Sequence, residues 1–251
     1  MEPTKQHYEI TQICLLAGKV MLQSGGETYR VEDTMMRIAS ALGVDNSHSY
    51  VTPTGIFFSI DGTEPMTRLI RIMERSTDLR KVTLVNDISR KITAGELSPS
   101  EAHEALKEID AARIAYPVWV QVAAAALASG CFLIMFQGIW QDVLPAIISG
   151  GLGFLFLLYI QRWIEIKFFA EFLASLMIGT ISFLFVKQGI GHQLDTIIIG
   201  SVMPLVPGLL ITNAVRDLMA GHLVSGLSKG AEAFLTAFAI GAGIALVISL
   251  Y

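Results

Sequence analysis

Cysteine is scarce in this chain. Cys14 and Cys131 are the only two, they lie far apart in the sequence, and neither has a CxxC partner or a neighbouring histidine. A disulfide framework needs several regularly spaced cysteines, and a metal site needs grouped cysteine and histidine ligands. The sequence therefore predicts neither a disulfide framework nor a metal site.

Charge is also low. Charged residues make up 16% of the 251 residues, hydrophobic residues make up 53%, and the formal net charge is −4. No basic stripe is visible, and because nucleic-acid-binding proteins need one to contact phosphates, we exclude nucleic acid as a partner. A Walker A motif is absent too, which argues against direct use of ATP. We expect no cofactor.

The apolar residues are distributed unevenly. Most charged residues precede Tyr116, and most of the chain after it is compatible with lipid. We therefore expect a small soluble domain over residues 1–115 and a membrane domain over residues 116–251. Residues 1–50 lack the basic, apolar and small-residue order of a cleaved signal peptide, so the first span is expected to direct insertion.

Helical periodicity recurs in the soluble part. Apolar side chains follow helical spacing in four stretches, 13–21, 31–42, 79–93 and 102–109. A capping box with proline at the first helical position, Ser98-Pro99-Ser100-Glu101, predicts the start of the last of these helices.

Strand-forming residues separate the second and third helical stretches. Residues 49–60 are rich in β-branched and aromatic side chains, and residues 67–73 are expected to form the returning strand. Between them, Asp61-Gly62-Thr63 is a hairpin signal. The soluble part is therefore predicted to be a small α+β domain.

A polar segment opens the second helix. Gly25 and Gly26 precede it, but the Lys-Ser/Thr of a phosphate loop does not follow, so we interpret the glycines as a helix cap. Glu27 and Arg30, with Glu32 and Asp33, are candidates for a polar or proton relay. A solvated helix start explains these four residues equally well.

Five apolar stretches follow residue 116. They are 118–136, 143–160, 168–186, 196–212 and 231–251. Each approaches the roughly 20 residues that a membrane-spanning helix needs. The predicted fold is thus a membrane protein in which a small α+β cytoplasmic domain precedes a five-helix transmembrane domain. Small residues that permit close helix packing are Gly150, Gly151, Gly153, Gly179, Gly241 and Gly243.

The fourth stretch is interrupted, and polar residues follow the interruption. The candidate substrate-binding or gating residues are Pro204, Pro207, Gly208, Asn213, Arg216 and Asp217. Proline frees backbone carbonyls that lipid cannot satisfy, so a broken helix at membrane depth must be buried in protein or line a wet cavity. We predict a transport site. The alternative is a kinked helix that ends at the interface with Arg216 and Asp217 in water.

Acidic residues in the other spans have two interpretations. Glu171 lies four residues after Lys167, and Glu232 lies three residues after Lys229, so each spacing predicts a local ion pair near the interface. For Glu171 the alternative is an inward-facing proton carrier.

Basic residues in the loops predict the orientation. Loops 161–167 and 213–230 each carry two basic residues, loop 187–195 carries only Lys187, and loop 137–142 carries none. Arg113 precedes the first span on the side of the richer loops. By the positive-inside rule this side is cytoplasmic, which leaves Tyr251 outside.

Several motifs together resemble the threonine/serine exporter family. They are GGETYRVEDT at 25–34, ASALG at 39–43, TPTGI at 52–56, PLVPG at 204–208, NAVRD at 213–217 and GH at 221–222. The resemblance covers nearly the whole chain, and it implies export of small hydroxy amino acids or succinate-type dicarboxylates. Fused members have about twice as many spans, so this chain resembles the larger subunit of the split kind.

The resemblance implies a subunit of an inner-membrane secondary exporter rather than an enzyme. Its partners would be a small carboxylate-bearing solute, the lipid membrane and a second, small five-span subunit, which would insert upside down relative to this chain. Self-association is the alternative to that second subunit. Two other classes of function stay open, a membrane-anchored small-molecule sensor and an intramembrane hydrolase. For a hydrolase, Ser201, Ser225 and Ser228 have no assigned base.

Overall fold

The computed structural model describes residues 3–61, 65–112, 115–164 and 166–250. The hairpin signal at Asp61-Gly62-Thr63 therefore lies, apart from Asp61, outside the described residues, as do Arg113 and Tyr251. The chain divides into two compact units. The first unit contains Met1–Ala115 together with Leu209–Gly230, and the second contains Tyr116–Gly208 together with Ala231–Tyr251.

Four helices and a three-stranded sheet build the N-terminal part of the first unit. The helices are α1 (Pro3–Gln23), α2 (Thr28–Ala41), α3 (Leu79–Thr93) and α4 (Pro99–Ala111). The strands are β1 (Ser47–Thr52), β2 (Gly55–Ile60) and β3 (Met66–Arg71). The predicted capping box is present, because the Ser98 side chain accepts from the Glu101 N–H and the Glu101 carboxylate accepts from the Ser98 N–H.

The sheet is an antiparallel meander in the order β1-β2-β3. Thr52 pairs with Gly55, so Pro53 and Thr54 alone connect β1 to β2, and the strand-forming stretch 49–60 contains parts of two strands. Side chains alternate along β2, where Ile56 and Phe58 are fully buried and Phe57 is exposed. The buried face packs against α1 and completes the hydrophobic core of this unit.

Six α-helices lie in the described part of the chain after residue 116. They are α5 (Val118–Met135), α6 (Val143–Ile160), α7 (Lys167–Lys187), α8 (Leu194–Val202), α9 (Gly208–Met219) and α10 (Leu223–Leu250). Among the described residues, four helices are long and apolar enough to cross a membrane: α5, α6 together with the turn that begins at Trp140, α7 and α10. A fifth crossing results if α8 and α9 form one bent span.

The predicted break in the fourth apolar stretch is present. Helix α8 ends at Val202, a 3₁₀ turn covers Met203–Leu205, and α9 begins at Gly208. The Val206 N–H donates to the Met203 carbonyl, as the 3₁₀ turn requires, and the Gly208 N–H donates to the carbonyl of Val206. Regular helical bonding is therefore interrupted where the prolines occur.

The loop predicted over residues 213–230 is wrong. Helix α9 continues to Met219, Gly221 makes a turn with φ of +87°, and α10 begins at Leu223 rather than at residue 231. On α9, Asn213, Ala214 and Asp217 form one buried face within the first unit. Asn213 and Asp217 therefore lie on a buried helix face, and Arg216 and Asp217 lie in the last turn of α9.

Helices α7 and α10 pack closely and run in the same direction. Lys167 lies beside Glu232, Ser175 beside Gly243, and Gly179 beside Val247, so residue numbers rise together along both helices. A Cβ atom at Gly243 would lie 2.2 Å from Ser175 Oγ and 2.6 Å from the Phe172 carbonyl oxygen. Gly241 differs from the other predicted packing glycines, because a Cβ atom there would meet nothing within 4 Å.

Gly243→Ala should therefore destabilise the α7–α10 contact, because the backbone oxygen of Phe172 cannot move away as a flexible side chain can. Gly241→Ala is the matched control on the same helix, and alanine's better helix propensity, about 1 kcal/mol, should leave its stability equal or higher. Melting temperatures of the two purified variants test this. Equal melting temperatures would show that the close approach of α7 and α10 is not needed for stability.

Candidate functional site

The N-terminus of α2 and the buried face of α9 meet within the first unit. Asp217 of α9 lies at their centre and has no exposed surface. Its Oδ1 accepts from the backbone N–H of Thr28 at 2.9 Å, and its Oδ2 accepts from the Thr28 hydroxyl at 2.9 Å. The first turn of a helix has unpaired N–H groups and partial positive charge. Asp217 therefore caps α2 from a segment 189 residues away in sequence.

Lys229 of α10 completes this arrangement. Its Nζ donates to Asp217 Oδ2 at 2.7 Å and to the Thr28 hydroxyl at 3.2 Å, and it lies 3.5 Å from the Gly26 carbonyl oxygen. Only 4% of Lys229 is exposed. Burial of two opposite charges is tolerated because each charge offsets the desolvation cost of the other and both make hydrogen bonds.

The loop before α2 is bonded to α9 at a second point. The Asn213 side-chain amide donates to the Gly25 carbonyl at 2.9 Å. Gly25 has φ of +90°, a conformation that suits glycine, and this turn directs its carbonyl toward α9. The glycines predicted as a helix cap thus also supply backbone acceptors to Asn213 and Lys229.

Glu27 lies between two guanidinium groups. One of its oxygens accepts from Arg216 of α9, and the other lies 3.2 Å from Arg30 Nη1. The Glu27 side chain is 9% exposed, whereas Arg216 is 55% and Arg30 is 40% exposed. Burial acts to raise the pKa of Glu27, but the hydrogen bond from Arg216 and the charges of both arginines outweigh it and hold the pKa below its usual value. Two cations share one anion, so the group has a net positive charge.

Glu32 forms a neighbouring polar contact. Its Oε1 accepts from the Val51 N–H at 2.7 Å and lies 3.6 Å from His222 Nδ1. Burial raises the pKa of Glu32, and the charge of Asp217 adds to this, against the opposing effects of the Val51 N–H and His222. Glu32 therefore lies near the cluster and keeps its proton at higher pH than an ordinary glutamate does.

The structure brings together five of the predicted site residues in one unit: Glu27, Arg30, Asn213, Arg216 and Asp217. The others lie in the second unit, with Pro204 in the 3₁₀ turn, Pro207 in the break and Gly208 at the start of α9. Glu171 lies on the buried face of α7.

Both local ion pairs predicted from spacing are wrong. Lys229 pairs with Asp217 rather than with Glu232, and Lys167 pairs with Glu232 at 3.1 Å rather than with Glu171. Sequence spacing also gave no role to Thr28 or His222 within this cluster. The family motifs include both residues, but only the folded contacts assign them partners.

Two of the three serines considered for hydrolysis donate to backbone. The Ser225 hydroxyl donates to the Val51 carbonyl at 3.1 Å, and the Ser201 hydroxyl donates to the Ala146 carbonyl at 3.2 Å. Neither bond provides the general base that a serine nucleophile needs.

Comparison with known proteins identifies the chain's relatives. The sequence model of a family described as putative threonine/serine exporters matches residues 12–251. The "Probable succinate transporter subunit YjjP" of Escherichia coli (strain K12) is 27% identical over 253 residues, which cover 99% of this chain and 97% of that protein. The protein of the same name in Klebsiella aerogenes is 26% identical and covers 96% of this chain and 94% of its own length.

A longer relative matches as well. The "Probable threonine/serine exporter" of Mycobacterium tuberculosis is 25% identical over 96% of this chain, which corresponds to 46% of that protein. No solved structure matches the chain significantly. The named relatives are transporters rather than enzymes, which confirms the expectation that the chain is not an enzyme.

Removing one member of the buried Asp217–Lys229 pair should be costly, because the other charge stays buried without its partner. Asp217→Ala is expected to lower stability by about 3–5 kcal/mol, and adding Lys229→Met to it should restore part of the loss. Asp87→Ala breaks an exposed pair with Lys91 and should cost no more than about 1 kcal/mol. Thermal unfolding of the purified proteins measures all three, and equal small losses for Asp217→Ala and Asp87→Ala would contradict a stabilising role.

Proposed function

The chain belongs to the threonine/serine exporter family, and we propose that it is the larger subunit of a secondary exporter that moves small carboxylate-bearing solutes out across the bacterial inner membrane. The observation that carries this proposal is the group of Arg216, Glu27 and Arg30, in which two guanidinium groups share one carboxylate.

Glu27 holds the place that a solute carboxylate would take. A guanidinium fork binds a carboxylate through two parallel hydrogen bonds, and Arg216 is exposed enough to meet a solute. An entering carboxylate would compete with Glu27 for Arg216, while Arg30 would retain Glu27. Asn213 lies one turn before Arg216 on α9 and places an amide beside the same region.

The net positive charge of this group favours a dicarboxylate over a zwitterionic amino acid. Relatives named for succinate transport and for threonine/serine export both match nearly the whole chain. Succinate is therefore the first solute to test, with threonine and serine as its competitors.

Five membrane crossings are part of the proposal. Helices α7 and α10 run in the same direction, so the chain between them must cross the membrane once, and the α8–α9 pair is the segment available for it. Arg162 and Lys167, between the second and third spans, support an arrangement with the N-terminal residues in the cytoplasm and residue 251 outside. In this arrangement Pro204, Pro207 and Gly208 hold an unwound segment whose backbone groups line the pathway.

A second subunit is also proposed. Two relatives that this chain matches over 94% or more of their length are each named a transporter subunit. An inverted five-span partner would place the solute site at the interface of the two halves, as in many transporters.

Glu171 is the proposed proton-coupling group. It is 4% exposed on α7, and among the described residues its Oε2 has no hydrogen-bond partner. Thr236 of α10 lies beside it, is 1% exposed, and likewise has a hydroxyl without a partner there. A proton on Glu171 would remove the cost of a buried, unpaired carboxylate and would let this carboxyl group donate a hydrogen bond as well as accept one. Buried carboxyl groups in membrane helices commonly serve proton transfer.

Few other charges act on Glu171. Lys167 lies one turn before it on α7, and Glu232 faces Lys167 from α10. Of the other helices packed against α7, the described part of α6 contributes the exposed Tyr159, and α8 contributes Asp195 near its start. The Lys167–Glu232 pair therefore lies between Glu171 and the proposed cytoplasmic end of α7.

Transport in liposomes that contain the chain and its candidate small five-span partner tests the proposed function. Arg216→Lys keeps the charge but loses the fork, so the succinate concentration for half-maximal export should rise about tenfold. Arg80→Ala, an exposed arginine in the same unit, should leave it unchanged. Wild-type kinetics in Arg216→Ala at equal expression would refute the site, and full export without the partner would refute the second subunit.

Glu171→Gln should preserve solute exchange across the membrane but abolish the coupling of export to the proton gradient. Labelled and unlabelled solute should still exchange across the membrane, but a pH gradient should no longer accelerate net export, because glutamine cannot release a proton. Asp195→Asn, an exposed carboxylate near the start of α8, is the control and should respond to the gradient as wild type does. A gradient response that survives in Glu171→Gln would exclude this residue as the coupling group.

A further inference from the structure

A cleft between α2 and α3 is lined almost entirely by polar side chains. It has a volume of about 430 Å³, within the range of small-molecule sites. Arg30 and Arg37 of α2 and Arg90 of α3 contribute three positive charges. The one acidic side chain in the lining is Asp33, which pairs with Arg37 at 2.8 Å. The cleft therefore has a net charge of about +2 from these four residues.

We infer that this cleft binds a small dicarboxylate and is a separate site from the transport pathway. The lining contains no aromatic ring and a single apolar side chain, so it offers no surface on which a nucleobase could stack. Thr34 and Ser89, both nearly buried, and Asn86 provide hydroxyl and amide groups for carboxylate oxygens.

The spacing of the arginines selects the shape of the ligand. Arg30 and Arg37 are seven residues apart on α2, which corresponds to roughly 10 Å along the helix axis. A compact anion such as phosphate can be satisfied by one guanidinium fork, whereas two separated forks suit an anion with a charge at each end. An elongated dicarboxylate fits this arrangement.

Arg30 links the cleft to the proposed transport site. It lines the cleft and also lies 3.2 Å from Glu27, the carboxylate that Arg216 contacts. A ligand that draws Arg30 into the cleft would leave Glu27 to Arg216 alone and strengthen that pair. Occupancy of the cleft would thus make it harder for a solute to displace Glu27. This regulatory link rests on the proposed function, but binding in the cleft does not.

Calorimetric titration of the full-length purified chain with succinate tests the cleft. Arg90→Gln removes a charge from the cleft without touching Glu27 or α9, and we expect it to weaken binding at least tenfold. Arg80→Gln, an exposed arginine on the same helix outside the cleft, should bind as wild type does. Circular dichroism and melting temperature should match for both variants, because neither arginine is buried.

Titration of Arg216→Ala distinguishes the cleft from the transport site. Binding that survives Arg216→Ala but is lost in Arg90→Gln supports the cleft, even if the wild-type chain transports nothing. Binding that is lost in Arg216→Ala but kept in Arg90→Gln would overturn the cleft and leave the proposed transport site standing. Inorganic phosphate that binds as tightly as succinate, or a wild-type chain that binds no succinate, would also overturn the inference.

Discussion

The buried carboxylate of Asp217 is the interaction on which the candidate site depends. It accepts the first backbone N–H of α2 and the Thr28 hydroxyl, and it neutralises the ammonium group of Lys229. All three groups are buried, so each would be left without a partner if the carboxylate were removed. The contact also fixes the rotation of α9. Once Asp217 faces α2, Asn213 on the same face reaches the Gly25 carbonyl, and Arg216 is placed beside Glu27.

This arrangement separates a structural pair from an exchangeable one. Asp217 and Lys229 are shielded from water, and a solute could not replace either without exposing a buried charge. Glu27 and Arg216 differ, because the guanidinium is more than half exposed and one carboxylate is shared by two cations. An ion pair that is partly solvated costs little to open. The proposed carboxylate exchange is therefore assigned to Arg216, whereas the buried Asp217 joins α2, α9 and α10.

Several features were predictable from local sequence because local physics controls them. The capping box at Ser98, the helix at 79–93 and the interruption at Pro204 and Pro207 each follow from a few neighbouring residues. The ion pairs were not predictable in this way. Lys229 and Glu232 have a spacing that allows a local pair, as do Lys167 and Glu171. Tertiary packing instead places Asp217 beside the buried Lys229 and Glu232 beside the half-exposed Lys167.

The sequence by itself determined the positions of most helices, the presence of strands between the second and third helices, and the break in the fourth apolar stretch. These depend on residue type, on hydrophobic periodicity and on motifs that occupy nearly the whole chain. Only the tertiary structure decided that α9 extends into the expected loop, that Glu27 contacts Arg216, and that Lys229 pairs with Asp217. Glu27 and Arg216 are 189 residues apart, and no periodicity reports on a contact between such distant segments. Their meeting depends on the burial of one helix face against another, which exists only in the folded chain.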